Sequence, residues 1–378
     1  MNVVLRVVVD QLATPAPTGI GRYTRELTRG LIQTAPPRCA VEGIVSALPP
    51  EKIEQLETEL PGLSALHRTT LPRRELAAAW QLGIAPTLAT GMIHAPGLLA
   101  PLVKHDTASD GTQIVVTVHD TLAWTHAKSL TPATVAWNRA MLKRARKHAD
   151  AVVVPSHAVA ERLADIVDLG DRVRVIGGAA SEDLVVPDDA DARAERMRLP
   201  ADFLLTIGTL DPRRGLTDLI TALGLPGAPD LPLLVLGPDT WGELNVATVA
   251  DEAGLAEGRV RALGVVDDAD LAVLLDRATI FVHPGRQEGF GLPIIEAFRF
   301  GTPVVHSDDA ALVEVAGGAG VAVELDGKGY PERLAAALTA TLTDTERLRR
   351  LGVLAADRER AFSWRDSAER VWQLHADL

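Results

Sequence analysis

The sequence predicts an α/β protein of two doubly wound, parallel-sheet domains, and three observations carry that expectation. Short apolar runs recur along the chain, each closed by a Gly, Pro or Asp loop and followed by a longer helical pattern. The runs are continuous rather than alternating, as strands buried on both faces of a parallel sheet require. The length of 378 residues exceeds one ordinary domain of about 100 to 200 residues and suits two. Ligands of such sheets bind beyond the carboxyl ends of the strands, so the loops that follow strands carry the functional argument.

Composition narrows the classes further. With 47% apolar and 23% charged residues a packed core can form, and disordered, collagen-like and disulfide-scaffold classes are excluded. Thirty-eight basic against fifty acidic side chains give a net charge of −12. That opposes a surface made to track nucleic acid, and any anionic ligand needs a local positive site. The single cysteine, Cys39, rules out an intramolecular disulfide and a Cys-based zinc cluster. No run of about 18 uncharged apolar residues occurs, so no membrane-spanning helix is expected. The expected location is cytoplasmic, with contact at the inner face of the cell membrane left open.

Taken in order, Val3 to Val9, broken only by Arg6, reads as a buried first strand rather than a signal peptide, so the mature chain is expected to begin at or near Met1. Gly19-Ile20-Gly21-Arg22-Tyr23 then opens a helix with Ile20, Tyr23, Leu27 and Leu31 on one face. Glycines at a helix N-terminus let backbone N–H groups approach an anion such as a diphosphate, although an ordinary turn needs glycine equally. The strand Ile114 to Val118 delivers His119 and Asp120 at its carboxyl end. His119 is expected to face a cleft and bond a sugar hydroxyl, Asp120 to orient it or to cap the next helix, and a purely structural histidine stays open. Arg139, Lys143, Arg144, Arg146 and Lys147 surround Trp137, Met141 and Leu142 on a helix. They read as a solvated face with charges spread around it, an anionic membrane being the alternative. The strand Ala151 to Val154 precedes Ser156, an expected N-cap.

The first series ends near Ile176, and the Gly/Pro/Asp-rich stretch Gly177 to Asp191 separates it from the second. We place the domains at 1–180 and 181–361, with a closing helix at 362–378. The strand Phe203 to Ile207 ends in Gly208-Thr209-Leu210-Asp211-Pro212-Arg213-Arg214-Gly215 before the helix Leu216 to Leu223. Two arginines meeting a helix N-terminus can hold a diphosphate, at about 1.5 to 3 kcal/mol per charge-assisted hydrogen bond, unless they are simply solvated loop residues. Strands follow at Leu233 to Leu236, Ile280 to Val282 and Pro303 to Val305. Asp268-Ala269-Asp270 has metal-like spacing, but it precedes a helix starting near Leu271, where acidic residues cap; Asp308-Asp309 reads the same way.

The segment His283-Pro284-Gly285-Arg286-Gln287-Glu288-Gly289-Phe290-Gly291-Leu292-Pro293-Ile294-Ile295-Glu296 is the most informative. Glu288 lies in a glycine-rich loop and Glu296 about a turn into the helix that Leu292-Pro293 opens. Two acceptor-only groups beside unpaired N–H donors can bind vicinal hydroxyls at two points of one ligand, such as a sugar ring and a ribose. Either glutamate alone would ordinarily be a surface residue. In the closing helix, Trp364, Ala368, Val371, Trp372 and His375 share helical spacing behind Ser363 as N-cap, and the helix is expected to pack across both domains. No His-x-x-x-His pair, zinc spacing or Gly-x-Ser-x-Gly elbow is present.

On these residues the chain resembles the retaining glycosyltransferases of the GT-B fold, family four, over essentially its whole length. Glu288-Gly-Phe-Gly-Leu-Pro through Glu296-Ala, then Gly301-Thr-Pro-Val-Val and Glu314-Val-Ala-Gly, is similar to that family's donor-site signature in its order. Gly19-Ile-Gly-Arg-Tyr-Thr-Arg-Glu-Leu, Val118-His-Asp and Gly208-Thr-Leu-Asp-Pro-Arg-Arg resemble its mannosyltransferase-like branch. The resemblance implies two Rossmann-like domains facing a cleft, an amino-terminal one for the acceptor and a carboxyl-terminal one for the nucleotide-sugar donor, with a crossover helix at the end. It implies a catalytic set of His119, Arg213, Arg214 and Glu288. The arginines would hold the donor diphosphate, Glu288 with the backbone of Phe290, Gly291 and Leu292 the donor sugar, Glu296 the ribose, and His119 the sugar's 6-hydroxyl. Gly264, Val265 and Val266 would meet the base through backbone groups, Gly19, Gly21, Gly208 and Thr209 would line the donor loops, and Arg22, Tyr23 and Asp120 are acceptor-side candidates.

Three positions depart from the family pattern: Arg214-Gly215 replaces Lys-Asn, Gly285 replaces Ser, and Ile176-Gly-Gly-Ala-Ala replaces an Asn-Gly turn. The implied reaction is hexose transfer, with mannose from GDP-mannose going to a saccharide or lipid-linked acceptor. It needs no cofactor and no metal, involves no nucleic acid, and allows peripheral membrane contact. The same fold with a UDP- or ADP-sugar (glucosyl, GlcNAc), a related nucleotide-sugar epimerase, and a non-catalytic nucleotide-sugar sensor are the alternatives.

Overall fold

The computed structural model describes residues 3–14, 19–84, 90–106, 109 and 111–378. The expected start at Met1 lies outside them. The chain divides into two compact units, Met1–Gly178 with Ser363–Leu378, and Ala179–Phe362.

The first unit holds β1 (Val3–Val8), β2 (Cys39–Val45), β3 (Ala65–Arg68), β4 (Met92–Ala95), β5 (Gln113–Thr117), β6 (Ala151–Val154) and β7 (Val173–Val175). They form one parallel sheet in the order β3-β2-β1-β4-β5-β6-β7, Leu5 of β1 standing beside Val41 and Met92. Ile44, Ile93, Val116 and Val152 are fully buried beneath the helices, as continuous apolar strands demand. The order reverses between β1 and β4, which makes their carboxyl ends a topological switch point.

The closing helix Trp364–Asp377 returns to this unit and packs on the helix Gly19–Gln33. The two helices cross closely. A Cβ on Gly30 would lie 3.0 Å from the Trp364 carbonyl oxygen, Trp372 Nε1 donates to the Leu31 carbonyl at 3.1 Å, and Ser367 Oγ donates to the Gly177 carbonyl at 2.9 Å. Ser363 caps the helix by accepting from Asp366 N. On the helix Pro132–His148 the exposed cations Arg139, Lys143, Arg146 and Lys147 share one face, opposite buried Met141, Leu142 and Ala145. The charges are therefore not spread around it. No helix among the described residues is long and apolar enough to cross a membrane.

The second unit holds β8 (Leu204–Ile207), β9 (Leu233–Leu236), a small hairpin of β10 (Thr240–Trp241) and β11 (Leu244–Asn245), then β12 (Val260–Gly264), β13 (Ile280–His283), β14 (Val304–Ser307) and β15 (Val321–Val323). Apart from the hairpin they form a parallel sheet ordered β12-β9-β8-β13-β14-β15, with the switch point between β8 and β13. The two loops singled out by the sequence leave those two strands. The helix expected near Leu271 begins a turn earlier, at Asp268, because Asp267 caps it by accepting from Asp270 N at 2.7 Å. Asp270 also takes Arg193 and Arg196 at 2.8 Å each, so this acidic cluster serves capping and ion pairing.

Candidate functional site

The site is built where β8 and β13 end. Asp211, almost fully buried, organises the first loop: its carboxylate accepts from Arg213 N at 3.1 Å and Arg213 Nε at 2.8 Å. Gly215 follows at φ +67°, a left-handed position that also abuts the second loop, since a Cβ there would collide with the Pro284 carbonyl. Arg286 N donates to the Arg213 carbonyl at 2.7 Å and ties the loops together. Arg286 then forks onto Asp218 at 2.9 and 2.8 Å and lies 5.2 Å over the Tyr330 ring. The Tyr330 hydroxyl donates to the Pro284 carbonyl at 3.1 Å, and Ser307 Oγ to the Gly285 carbonyl. The loops therefore have little freedom to move independently.

Within that frame Arg214 pairs with Glu288, whose side chain is only 12% exposed. Burial alone would push the Glu288 carboxyl up, but Arg214, helped by His283 and Arg213, outweighs it and holds the group below the usual carboxylate range. Both arginines thus hold carboxylates, Arg213 with Asp211 and Arg214 with Glu288, where the sequence suggested arginines directed at a phosphate. Gly285 acquires a reason here, because a Cβ would sit 3.0 Å from Glu288 Oε1. A serine there would crowd the carboxylate.

His283 stands at the end of β13, 2% exposed, with Nε2 3.9 Å from Glu288 Oε1. Burial brings its imidazole down to about 4 despite Glu288, and Arg214 and His306 push the same way, so it is neutral at pH 7. Gly291 takes φ +102° before the helix Leu292–Arg299, and a Cβ there would meet Leu312 Cδ2 at 2.7 Å. Glu296 lies on that helix and is 3% exposed; it is not the surface residue a lone glutamate ordinarily is. Phe290 packs edge-on against Phe362.

The neighbouring loops meet through glycines. Gly237 N donates to the Gly264 carbonyl at 2.9 Å, and a Cβ on Gly237 would collide with the Gly208 carbonyl. The Gly264 carbonyl, an expected base contact, is thus already engaged. Val265 is 64% exposed, Val266 packs on the core, and Thr209 Oγ1 accepts from Asp211 N at 3.2 Å.

In the first unit, His119 Nε2 donates to the Pro96 carbonyl at 2.8 Å. Its ring meets Tyr23 edge-on at 4.7 Å. Burial lowers its pKa against the opposing pull of Pro96 and Asp120, which keeps it neutral. Asp120 caps, accepting from Leu122 N at 3.0 Å. Tyr23, expected on the acceptor side, is 2% exposed and wedged between His119 and Trp364. Its role as placed is packing, because the apolar face of its helix turns it inward. Gly19 opens that helix, Gly21 is buried and Arg22 half-buried. Sequence reasoning placed Asp211, Gly215 and Arg286 on these loops without giving them a role, and it missed Asp218, Tyr330 and the role of His283. Only the close approach of two loops some 70 residues apart gives them meaning.

A family model described as Glycosyltransferase Family 4 matches residues 17–180, and one described as Glycosyl transferases group 1 matches residues 188–358. The chain is 41% identical over 125 residues to O-antigen chain mannosyltransferase B of Escherichia coli, covering 32% of each protein. It is 26% identical over 342 residues to MMP alpha-(1->4)-mannosyltransferase of Mycolicibacterium hassiacum, covering 80% of this chain and 78% of that one. The match thus spans about a third of the E. coli relative. Anabaena HepE, solved with UDP and glucose, superposes with a TM-score of 0.74 at 19% identity over the whole of both chains.

Proposed function

We propose that this chain, which belongs to the GT-B glycosyltransferases with family 4 and group 1 domains, transfers mannose from GDP-mannose to a saccharide or lipid-linked acceptor with retention of configuration. The observation that carries this reading is the Arg214–Glu288 pair, a cation and a buried carboxylate locked side by side at the switch point of the second unit. A diphosphate arriving there competes for Arg214, and the Glu288 carboxylate accepts hydrogen bonds from the sugar hydroxyls. The names of the curated relatives support mannose as the sugar.

In this reading Arg213, Arg214 and the N-terminus of the helix Leu216–Leu223 balance the diphosphate as it leaves. The bond between the anomeric carbon and the diphosphate breaks, and the acceptor oxygen bonds the same carbon on the same face. The acceptor's proton passes to the departing diphosphate, and no protein nucleophile or metal is required. Backbone groups of Phe290 to Leu292 hold the sugar, Glu296 the ribose, and Gly264 to Val266 the base. The first unit takes the acceptor, and peripheral membrane contact accompanies a lipid-linked one. A UDP-hexose donor is the second reading, favoured by the UDP and glucose bound to HepE.

Calorimetric binding of GDP, UDP and ADP, followed by nucleotide release from the matching sugars, tests the proposal. Preference for GDP with slow hydrolysis of GDP-mannose is the expected result. Preference for UDP or ADP overturns the donor, and no binding of any nucleotide overturns the reading itself. Glu288→Ala is expected to lower turnover, and full activity in that variant contradicts the donor-sugar role.

A further inference from the structure

We propose that His283 is a positioning residue whose Nε2–H takes over the Glu288 carboxylate when Arg214 turns to the donor diphosphate. The inference rests on the functional reading above and begins from an anomaly. His283 is 2% exposed, and neither ring nitrogen has a hydrogen-bond partner among the described residues. A buried polar group without a partner is costly, and an aliphatic side chain would fill the space without that cost. Its strand neighbours Phe281 and Val282 are apolar and fully buried, so the position calls for an apolar residue unless the imidazole has a task.

The surroundings narrow that task. His306 is occupied through Nδ1, 2.7 Å from the Ser307 carbonyl, and the Phe281 ring, 6.2 Å away, offers no polar atom. Glu288 Oε1 is the carboxylate oxygen within 4 Å of His283 Nε2, at 3.9 Å. Arg214 holds that same oxygen. When a diphosphate draws Arg214 away, Glu288 loses the cation at Oε1, and a buried carboxylate is favoured when another donor takes that cation's place. A charge-assisted N–H···O bond of about 2.8 Å needs a shift of only about 1 Å from the present separation of 3.9 Å, which small changes in the Glu288 side-chain torsions supply within one rotamer well. Being neutral, the imidazole supplies a proton for the hydrogen bond without adding a cation that would compete for the diphosphate. Glu288 then stays ionised and aimed at the sugar hydroxyls through the chemical step.

Two variants separate this role from packing. His283→Leu is expected to melt at or above the wild-type temperature, while kcat for nucleotide-sugar hydrolysis falls about tenfold or more, the loss of one hydrogen bond to a charged group. Donor KM should change by less than about twofold, since the bond matters after the diphosphate is seated. His283→Gln, which keeps an N–H donor, should recover most of kcat. Wild-type kcat in His283→Leu, or equal losses in both variants, overturns the proposal. A second arm does not depend on the donor or on turnover. In Arg214→Ala without nucleotide, Glu288 has already lost its guanidinium, so the His283 Nε2 proton should appear downfield in nitrogen-edited NMR, bonded to a carboxylate. Its absence there also overturns the proposal, whereas failure of the wild-type protein to bind any nucleotide alongside a positive NMR result would indict the functional reading alone.

Discussion

Replacing Arg214 by alanine should cost the fold about 1 to 2 kcal/mol at neutral pH, and the structure sets that range. The Arg214 side chain is 32% exposed and Glu288 12%, so the pair sits between a surface ion pair, worth about 0.2 to 1 kcal/mol, and a buried one, whose breaking costs about 3 to 5 kcal/mol. Solvent screening at Arg214 brings the figure toward the lower class. The cost is also asymmetric. Arg214→Ala removes the cation beside a carboxylate with little solvent and leaves it only neutral donors, while Glu288→Gln leaves a guanidinium that reaches water, so the arginine variant should be the less stable of the two. The pH dependence follows from Glu288, whose folded pKa lies below its ordinary 4.5. Its stabilisation is fully present above 4.5 and is lost as pH falls through the folded value. Urea unfolding of wild type, both single variants and the double variant, at pH 7 and again near pH 3.5, reads the coupling. A coupling energy below about 0.3 kcal/mol at pH 7, or one that does not shrink on acidification, would refute the reasoning.

The frame around the site makes further predictions. Gly215→Ala, strained at φ +67° and driven against the Pro284 carbonyl, should destabilise by about 2 kcal/mol or more and weaken GDP binding, read by thermal unfolding and calorimetry. Gly30→Ala should cost about 1 to 3 kcal/mol by overpacking, because its Cβ would meet Ala368 Cβ at 3.1 Å as well as the Trp364 carbonyl; an unchanged melting temperature would contradict that helix crossing. His375 and His283, both held near 4 by burial against an ordinary 6.5, take up protons more readily when unfolded. Stability should therefore fall as pH drops from 6.5 to 4, by about 1.4 kcal/mol per pH unit for each. His375→Gln should flatten that acid limb, and urea midpoints across the range provide the check.

Much of this protein was legible in its residues alone. Continuous runs such as Ala151–Val154 and Leu233–Leu236 are strands with the expected bounds, and the helix Leu216–Leu223 keeps its expected ends. Runs that carry a polar residue escaped notice, among them β2 with Glu42 and Gly43, and β4 with the buried His94. Periodicity registers average polarity, whereas a sheet interior accepts a polar side chain once its neighbours accommodate it. The segment from Glu288 to Glu296 declared a ligand loop because glycine, proline and carboxylate stand in an order that a helix N-terminus explains locally.

What no local pattern contains is the state of those groups. That Arg214 meets Glu288, that Gly215 abuts Pro284, and that Arg286 reaches Asp218 depend on β8 and β13 becoming neighbours at a switch point. The sequence by itself determined which side chains are present and on which loops, because strand and helix propensity act over a few residues. Only the tertiary structure decided which charges are paired, which imidazole is buried without a partner and which tyrosine is turned into the core, because desolvation and Coulomb energy depend on distances between residues far apart in the chain.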